Sequence, residues 1–205
     1  MKDLNEILFE KEHLEDLSKV SAENKVPIVD YEVGRLLETL VFLKTPENVL
    51  EIGCGEGYSS YFLVKNLKKA NFSAIDLNKK RLAKAKEFIN STFPKLNTYF
   101  YPGNALEIIP NLESTFDFVF IDAAKFEYPR YLEALLGKLK KNALIIADNI
   151  FCDEKIFSRY IKEHDKNSVD GLKKYIKLVQ NNKIFETRFI DLGDGIAISI
   201  YLQDQ

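Results

Sequence analysis

The chain has 205 residues, 46% of them hydrophobic and 29% charged, a balance ordinary for one globular domain with a substantial core. A formal net charge of −2 gives no overall basic footprint for nucleic acid, no apolar run is long enough to span a membrane, and the N-terminus has no signal-peptide apolar region. Two cysteines, Cys54 and Cys152, make no disulfide framework, so a reduced, cytoplasmic protein is expected.

Residues 3–20 place Leu4, Ile7, Leu8, Leu14, Leu17 and Val20 at the spacing of an amphipathic helix, either packed on the domain or reaching out as a lid or dimer arm. A break at Lys25-Val26-Pro27-Ile28-Val29-Asp30 follows. Asp30 is placed to cap a second helix carrying Val33, Leu36, Leu37, Leu40 and Val41. These N-terminal helices fill residues 1–45 of a single domain, and an α/β core fills 46–205.

The core opens on the stretch that organises the rest. Val49, Leu50 and Ile52 read as a strand, Gly53, Gly55 and Gly57 follow as G-x-G-x-G, and a helix starts at Tyr58 and runs to about Lys69. Glycines let a ligand approach without a Cβ in the way, and the helix start aims unpaired N–H groups at the same space. Asn71 to Ile75 reads as a second strand, with Asp76 at its end. An acid about 20 residues past such a turn is placed to hold ribose hydroxyls.

Helices and strands then alternate. A helix is expected from Asn78 to Asn90 and a strand over 97–101. A short helix follows Gly103-Asn104-Ala105-Leu106. Phe116 to Ile121 is a strand apolar enough to be buried on both faces, and it ends in Asp122. A helix from Tyr128 to Leu139 and a strand from Asn142 to Ala147 lead to Asp148-Asn149. Residues 153–168 carry no readable pattern. Val169 to Gln180 looks helical. Ile184 to Ile190 and Ile196 to Leu202 are strands whose short link, Leu192-Gly193-Asp194-Gly195, favours an antiparallel pair. The sum is a Rossmann-like, doubly wound, mostly parallel seven-stranded α/β sheet with an antiparallel last strand. Ligands in such sheets bind outside the carboxyl ends of the strands, where Glu51, Asp76, Asn104, Asp122, Asp148 and Asn149 fall.

With these residues the sequence resembles the class I S-adenosylmethionine-dependent O-methyltransferases of the metal-dependent catechol/caffeoyl-coenzyme A type. The likeness lies in Val49–Ser59, Ser73–Asp76, Gly103–Ala105, Phe116–Lys125 and Ile145–Asn149, and in Gly193-Asp194-Gly195 before the last strand. It implies S-adenosylmethionine and Mg²⁺ as cofactors, a small hydroxylated acceptor and a homodimer. Carried over by position, Val29, Glu51, Gly53, Gly55, Tyr58, Ser59, Asp76, Asn104, Ala105 and Asp122 would surround the cofactor. Glu51, Gly53, Tyr58 and Ser59 would stand at its methionine end. Asp122, Asp148 and Asn149 match the family's metal ligands, and Lys125 its catalytic lysine. Ala124 and the run Ile150-Phe151-Cys152-Asp153 depart from the family where it shapes the acceptor mouth.

Taken singly, Asp76 also reads as a helix cap, Asp148-Asn149 as a turn and Lys125 as a surface lysine. Together, acids ending neighbouring strands about 4.8 Å apart would crowd without a cation. Two Asp and one Asn oxygen suit a hard ion, Mg²⁺ above Mn²⁺ or Ca²⁺. A metal held by two adjacent substrate oxygens favours a catechol-like, vicinal-dioxygen acceptor. The resemblance also implies a second reading, a 5-hydroxyuridine base in tRNA, which some bacterial members of the family methylate; the near-neutral charge speaks against it, and Lys138, Lys140, Lys141, Lys173 and Lys174 speak for it. A nicotinamide-dependent oxidoreductase and a non-catalytic cofactor-binding module are weaker readings.

Overall fold

Short apolar runs dictate seven strands, and all seven join one sheet. The computed structural model describes residues 26–203 continuously and, before them, residues 14, 18, 19, 21 and 23. Of the apolar positions expected on the first helix, Leu14 is helical and buried; the others lie outside the described residues. The strands are β1 (Asn48–Ile52), β2 (Asn71–Asp76), β3 (Asn97–Pro102), β4 (Phe116–Ile121), β5 (Leu139–Ala147), β6 (Phe185–Ile190) and β7 (Ile196–Tyr201). Their spatial order is β3-β2-β1-β4-β5-β7-β6. The first five are parallel, and β7 runs antiparallel to both β5 and β6, as expected of the closing pair. The chain winds outward from β1 to β3 and then returns to start β4 on the other side of β1. That reversal opens a crevice at the carboxyl ends of β1 and β4.

The helices are α1 (Tyr31–Lys44), α2 (Tyr58–Val64), α3 (Lys79–Thr92), α4 (Ala105–Ile108), α5 (Tyr128–Leu135) and α6 (Glu163–Val179). Strand alternation divides the core into two layers. Leu50, Ile52, Val119 and Ile121 pack with α5 and α6 residues such as Tyr128, Leu132 and Tyr175. Val49, Phe118 and Phe120 pack on the opposite face with Leu37, Phe62 and Leu82 of α1, α2 and α3. Asp117 is the polar exception in β4. Its carboxylate accepts the N–H groups of Glu47 at 2.9 Å and Asn48 at 2.8 Å, tying β1 to β4 at the end away from the crevice.

Several boundaries differ from expectation. Helix α2 stops at Val64 rather than near Lys69, and the Asn66 amide just beyond donates to Glu38 Oε1 of α1 at 3.1 Å. Helix α5 stops at Leu135, a 3-10 turn over Leu136–Lys138 follows, and β5 begins at Leu139, whose side chain is fully buried. Helix α6 starts at Glu163, ahead of its first buried apolar residue, Val169. Glu163 and Asp165 favour that start by facing the positive end of the helix dipole. Asp30 stands at the N-cap position of α1, yet its side chain makes no capping bond. It faces Gly193 in the β6–β7 turn instead. Among the described residues no helix is long and apolar enough to cross a membrane.

Candidate active site

A cleft of about 350 Å³ lies in the crevice. Val29 before α1, Gly53, Cys54, Gly55 and Glu56 of the turn, Tyr58, Ser59, Asp76, Asn104, Ala105, Asp122, Lys125 and Asn149 all line it. So the residues expected around a cofactor share one cavity, with the exception of Glu51. Asp148 also stands back from the lining.

The glycine turn owes its path to close packing. Gly53 has φ +92°, and a Cβ there would fall 2.2 Å from the Asp122 carbonyl oxygen. Only glycine lets β1 turn this close to the end of β4. Gly55 N–H donates to Asp76 Oδ2 at 2.9 Å, and Asn78 N–H donates to Asp76 Oδ1 at 2.7 Å. Asp76 is therefore not the cap of α3. That role belongs to Asn78, whose Oδ1 accepts from Lys80 N–H at 3.0 Å and Arg81 N–H at 3.2 Å. Asn104 caps α4 through a bond from Leu106 N–H at 2.9 Å.

Glu51 lies one layer below the cleft. It is fully buried and accepts from Ser59 Oγ at 2.6 Å and Ser60 Oγ at 2.5 Å. Burial pushes its carboxyl up to about 8, against the pull of the two serine bonds. The pH dependence follows with a definite sign. From an ordinary value of 4.5 up to about 8, the unfolded chain releases this proton while the folded chain keeps it, so stability falls as pH rises through that window. Glu51→Gln keeps an acceptor for one serine and a donor for the other, and removes the titration. Urea unfolding should show the wild type losing about 2–4 kcal/mol more than the variant between pH 5 and 8. Parallel losses would mean that Glu51 enters the folded state ionised.

The other end of the cleft gathers Asp122, Asp148, Asn149 and Lys125. Lys125 Nζ donates to Asn149 Oδ1 at 2.9 Å and stands 3.7 Å from Asp122 Oδ1. Asp148 is almost fully buried and accepts from Asn149 N–H at 2.7 Å. Burial first, and then the charge of Asp122, push the Asp148 carboxyl up to about 7. Burial raises Asp122 as well, and the Lys125 ammonium opposes it. One acid, Asp122, and the Asn149 amide oxygen thus converge on Lys125, while Asp148 is bonded to the Asn149 N–H. Among the described residues no group of three or more His, Cys, Asp or Glu is placed to hold a metal. The third member of the expected ligand set is the amide Asn149.

Three contributors escaped the sequence. The fully buried Tyr128 hydroxyl lies 3.1 Å from the Asp148 carbonyl and 3.3 Å from that of Ile121, pinning the ends of β4 and β5. Glu127 and Tyr131 line the cleft, joined by a 2.7 Å bond from the tyrosine hydroxyl to Glu127 Oε2. Their i, i+4 spacing is the one local signal that links them.

Comparison with known proteins gives a consistent picture. A family model described as O-methyltransferase matches residues 5–202. The chain is 27% identical over 177 residues to a catechol O-methyltransferase of Niastella koreensis, covering 82% of this chain and 79% of that relative. A solved structure of a candidate caffeoyl-CoA O-methyltransferase from Staphylococcus aureus is 27% identical, with a TM-score of 0.83 over 97% of this chain and 100% of the other. An O-methyltransferase from Bacillus cereus, solved in complex with S-adenosylhomocysteine, shares the fold at 24% identity, with a TM-score of 0.82 over 92% of this chain and 90% of its own.

Proposed function

The chain belongs to the O-methyltransferase family, and on that premise we propose that it transfers a methyl group from S-adenosylmethionine to one hydroxyl of a vicinal-dioxygen small molecule, with Mg²⁺ assistance. The observation that carries this reading is the single cleft with the glycine turn and Asp76 at one end and Asp122, Asn149 and Lys125 at the other. The Bacillus cereus relative of the same fold holds S-adenosylhomocysteine, which supports the cofactor assignment.

Each residue then has a task. A carboxylate offers about four lone-pair sites, and the bonds from Gly55 and Asn78 leave sites on Asp76 for ribose hydroxyls. Ser59 is held by Glu51, so the wall beside the methionine end is fixed before the cofactor arrives. The cofactor supplies an already activated methyl on its sulfonium, so the protein's work is to align the acceptor and withdraw its proton. The donor set fits a hard cation, because Asp122 and Asp148 repel each other and burial raises both. Asp122, Asp148 and Asn149 would hold it. A divalent ion there supplies Lewis acidity and a two-point grip on adjacent oxygens. Lys125 would take the proton of the acceptor hydroxyl.

Two measurements follow. Asp76→Ala should weaken S-adenosylhomocysteine binding by about 1.5–3 kcal/mol, because a charged acceptor and the anchor of Gly55 are lost together. Calorimetry with S-adenosylhomocysteine and NAD reads it, and tight binding of NAD alone would overturn the cofactor assignment. The acceptor is tested by methyl transfer to catechol, a monophenol and tRNA bearing 5-hydroxyuridine. Catechol should be methylated at least tenfold faster than the monophenol. Equal rates would contradict a two-oxygen grip, and methylation of the tRNA alone would replace the small-molecule reading.

A further inference from the structure

Just past β5 the chain turns left-handed again and again. Asn149, Cys152, Asp153 and Glu154 have φ values of +53°, +53°, +51° and +60°. None is glycine, and each holds a backbone conformation that L side chains disfavour. Such a path persists only where surrounding contacts impose it.

Those contacts come from the β6–β7 turn. Ile150 N–H donates to the Gly195 carbonyl at 3.0 Å and Phe151 N–H to the Asp194 carbonyl at 2.9 Å. Asp153 N–H donates to Asp194 Oδ1 at 2.7 Å, across 41 residues of sequence. Gly195 has φ +82°, and a Cβ there would fall 2.4 Å from the Phe151 ring. On its other side the turn meets α1, where a Cβ on Gly193 would lie 2.9 Å from Asp30 Oδ2. The turn is therefore wedged between the start of α1, next to the cleft-lining Val29, and the strained segment. An aspartate in a tight turn usually bonds its own neighbouring backbone. Here the carboxylate is spent on a distant N–H instead. The segment it holds begins with Asn149, whose Oδ1 receives Lys125 Nζ.

We propose that Asp194 is a positioning residue: its carboxylate and carbonyl hold residues 149–154 in their strained path and so keep the Asn149 side chain on Lys125. Its bearing on catalysis rests on the reading of Lys125 and Asn149 given above. The geometry itself does not.

The test compares Asp194→Ala with Asp194→Asn, which keeps an oxygen acceptor at the same reach. Three readouts need no acceptor: hydrogen exchange at the amides of Ile150, Phe151 and Asp153, mass-spectrometric acetylation of Lys125, and calorimetry with S-adenosylhomocysteine. Asp194→Ala should speed exchange at Asp153 at least tenfold and raise Lys125 acetylation several-fold, with S-adenosylhomocysteine affinity within twofold of wild type. Asp194→Asn should restore the wild-type values. If Asp194→Ala does not fold, Asp194→Ser, whose oxygen is one bond shorter in reach, takes its place with the same expectations. Wild-type Lys125 acetylation in the alanine or serine variant overturns the proposal, and so does failure of Asp194→Asn to rescue. With catechol as acceptor, kcat of the alanine variant should fall at least tenfold. If the wild type does not methylate catechol, the acceptor assignment fails while the exchange and acetylation results still decide the role of Asp194.

Discussion

Lys125→Ala is expected to lower kcat by roughly 10²–10⁴ while S-adenosylhomocysteine affinity stays within about twofold. The lysine is held rather than loose. It opens a 3-10 turn over Lys125–Glu127, and α6 presses on that turn so closely that a Cβ on Gly171 would fall 2.7 Å from the Lys125 carbonyl oxygen. Its amine is aimed at Asn149 Oδ1 and lies within ion-pair distance of Asp122, at the acceptor end of the cleft. Two roles compete for that geometry: transfer of the acceptor proton, and neutralisation of Asp122. Lys125→Arg separates them. A guanidinium still pairs with a carboxylate and stays protonated, so it preserves the second role and not the first. Steady-state kinetics at saturating cofactor and Mg²⁺ give the answer. Activity restored by arginine would make Lys125 a counter-ion, and wild-type kcat in the alanine variant would remove it from the reaction.

What was legible in the sequence was local. The run Val49 to Ser59 states a strand, a turn that needs glycine and a helix start within a dozen residues, and Asp76 ends the next strand. The almost wholly apolar β4 announces its central place because Phe116, Phe118, Val119, Phe120 and Ile121 leave it no solvent face. Glu51 stands back from the cleft for a reason that strand alternation already contained. Leu50 and Ile52 face one core layer, so Glu51 belongs with Val49 on the other, below the start of α2, where Ser59 and Ser60 meet it. The first turns of α6 were unreadable because residues 163–168 are polar and show no period. Contacts such as Tyr128 to the Asp148 carbonyl or Asp194 to Asp153 join residues whose nearness comes from the sheet order, which no local pattern encodes.

Asp148→Asn is expected to abolish methyl transfer, by 10²-fold or more, and at the same time to stabilise the metal-free protein by about 1–3 kcal/mol. The two effects share one cause. Asp148 is buried, its carboxyl is raised by desolvation and then by Asp122, and the nearby lysine bonds to Asn149 rather than to Asp148. Asparagine has the same shape and can still accept from Asn149 N–H, so the turn at the end of β5 keeps its bond while the repulsion disappears. A cation held by Asp122, Asp148 and Asn149 would relieve the same repulsion in the wild type. Mg²⁺ should therefore raise the Tm of the wild type by several degrees and leave that of Asp148→Asn nearly unchanged, by the linkage of binding to stability. EDTA should remove the wild-type activity and leave S-adenosylhomocysteine binding largely intact. Thermal scans with and without Mg²⁺, on both proteins after exhaustive dialysis, read the stability arm. An equal Mg²⁺ shift in both proteins would place the ion elsewhere. Full wild-type activity in EDTA would make Asp122, Asp148 and Asn149 a structural cluster and leave Lys125 to act without a metal beside it.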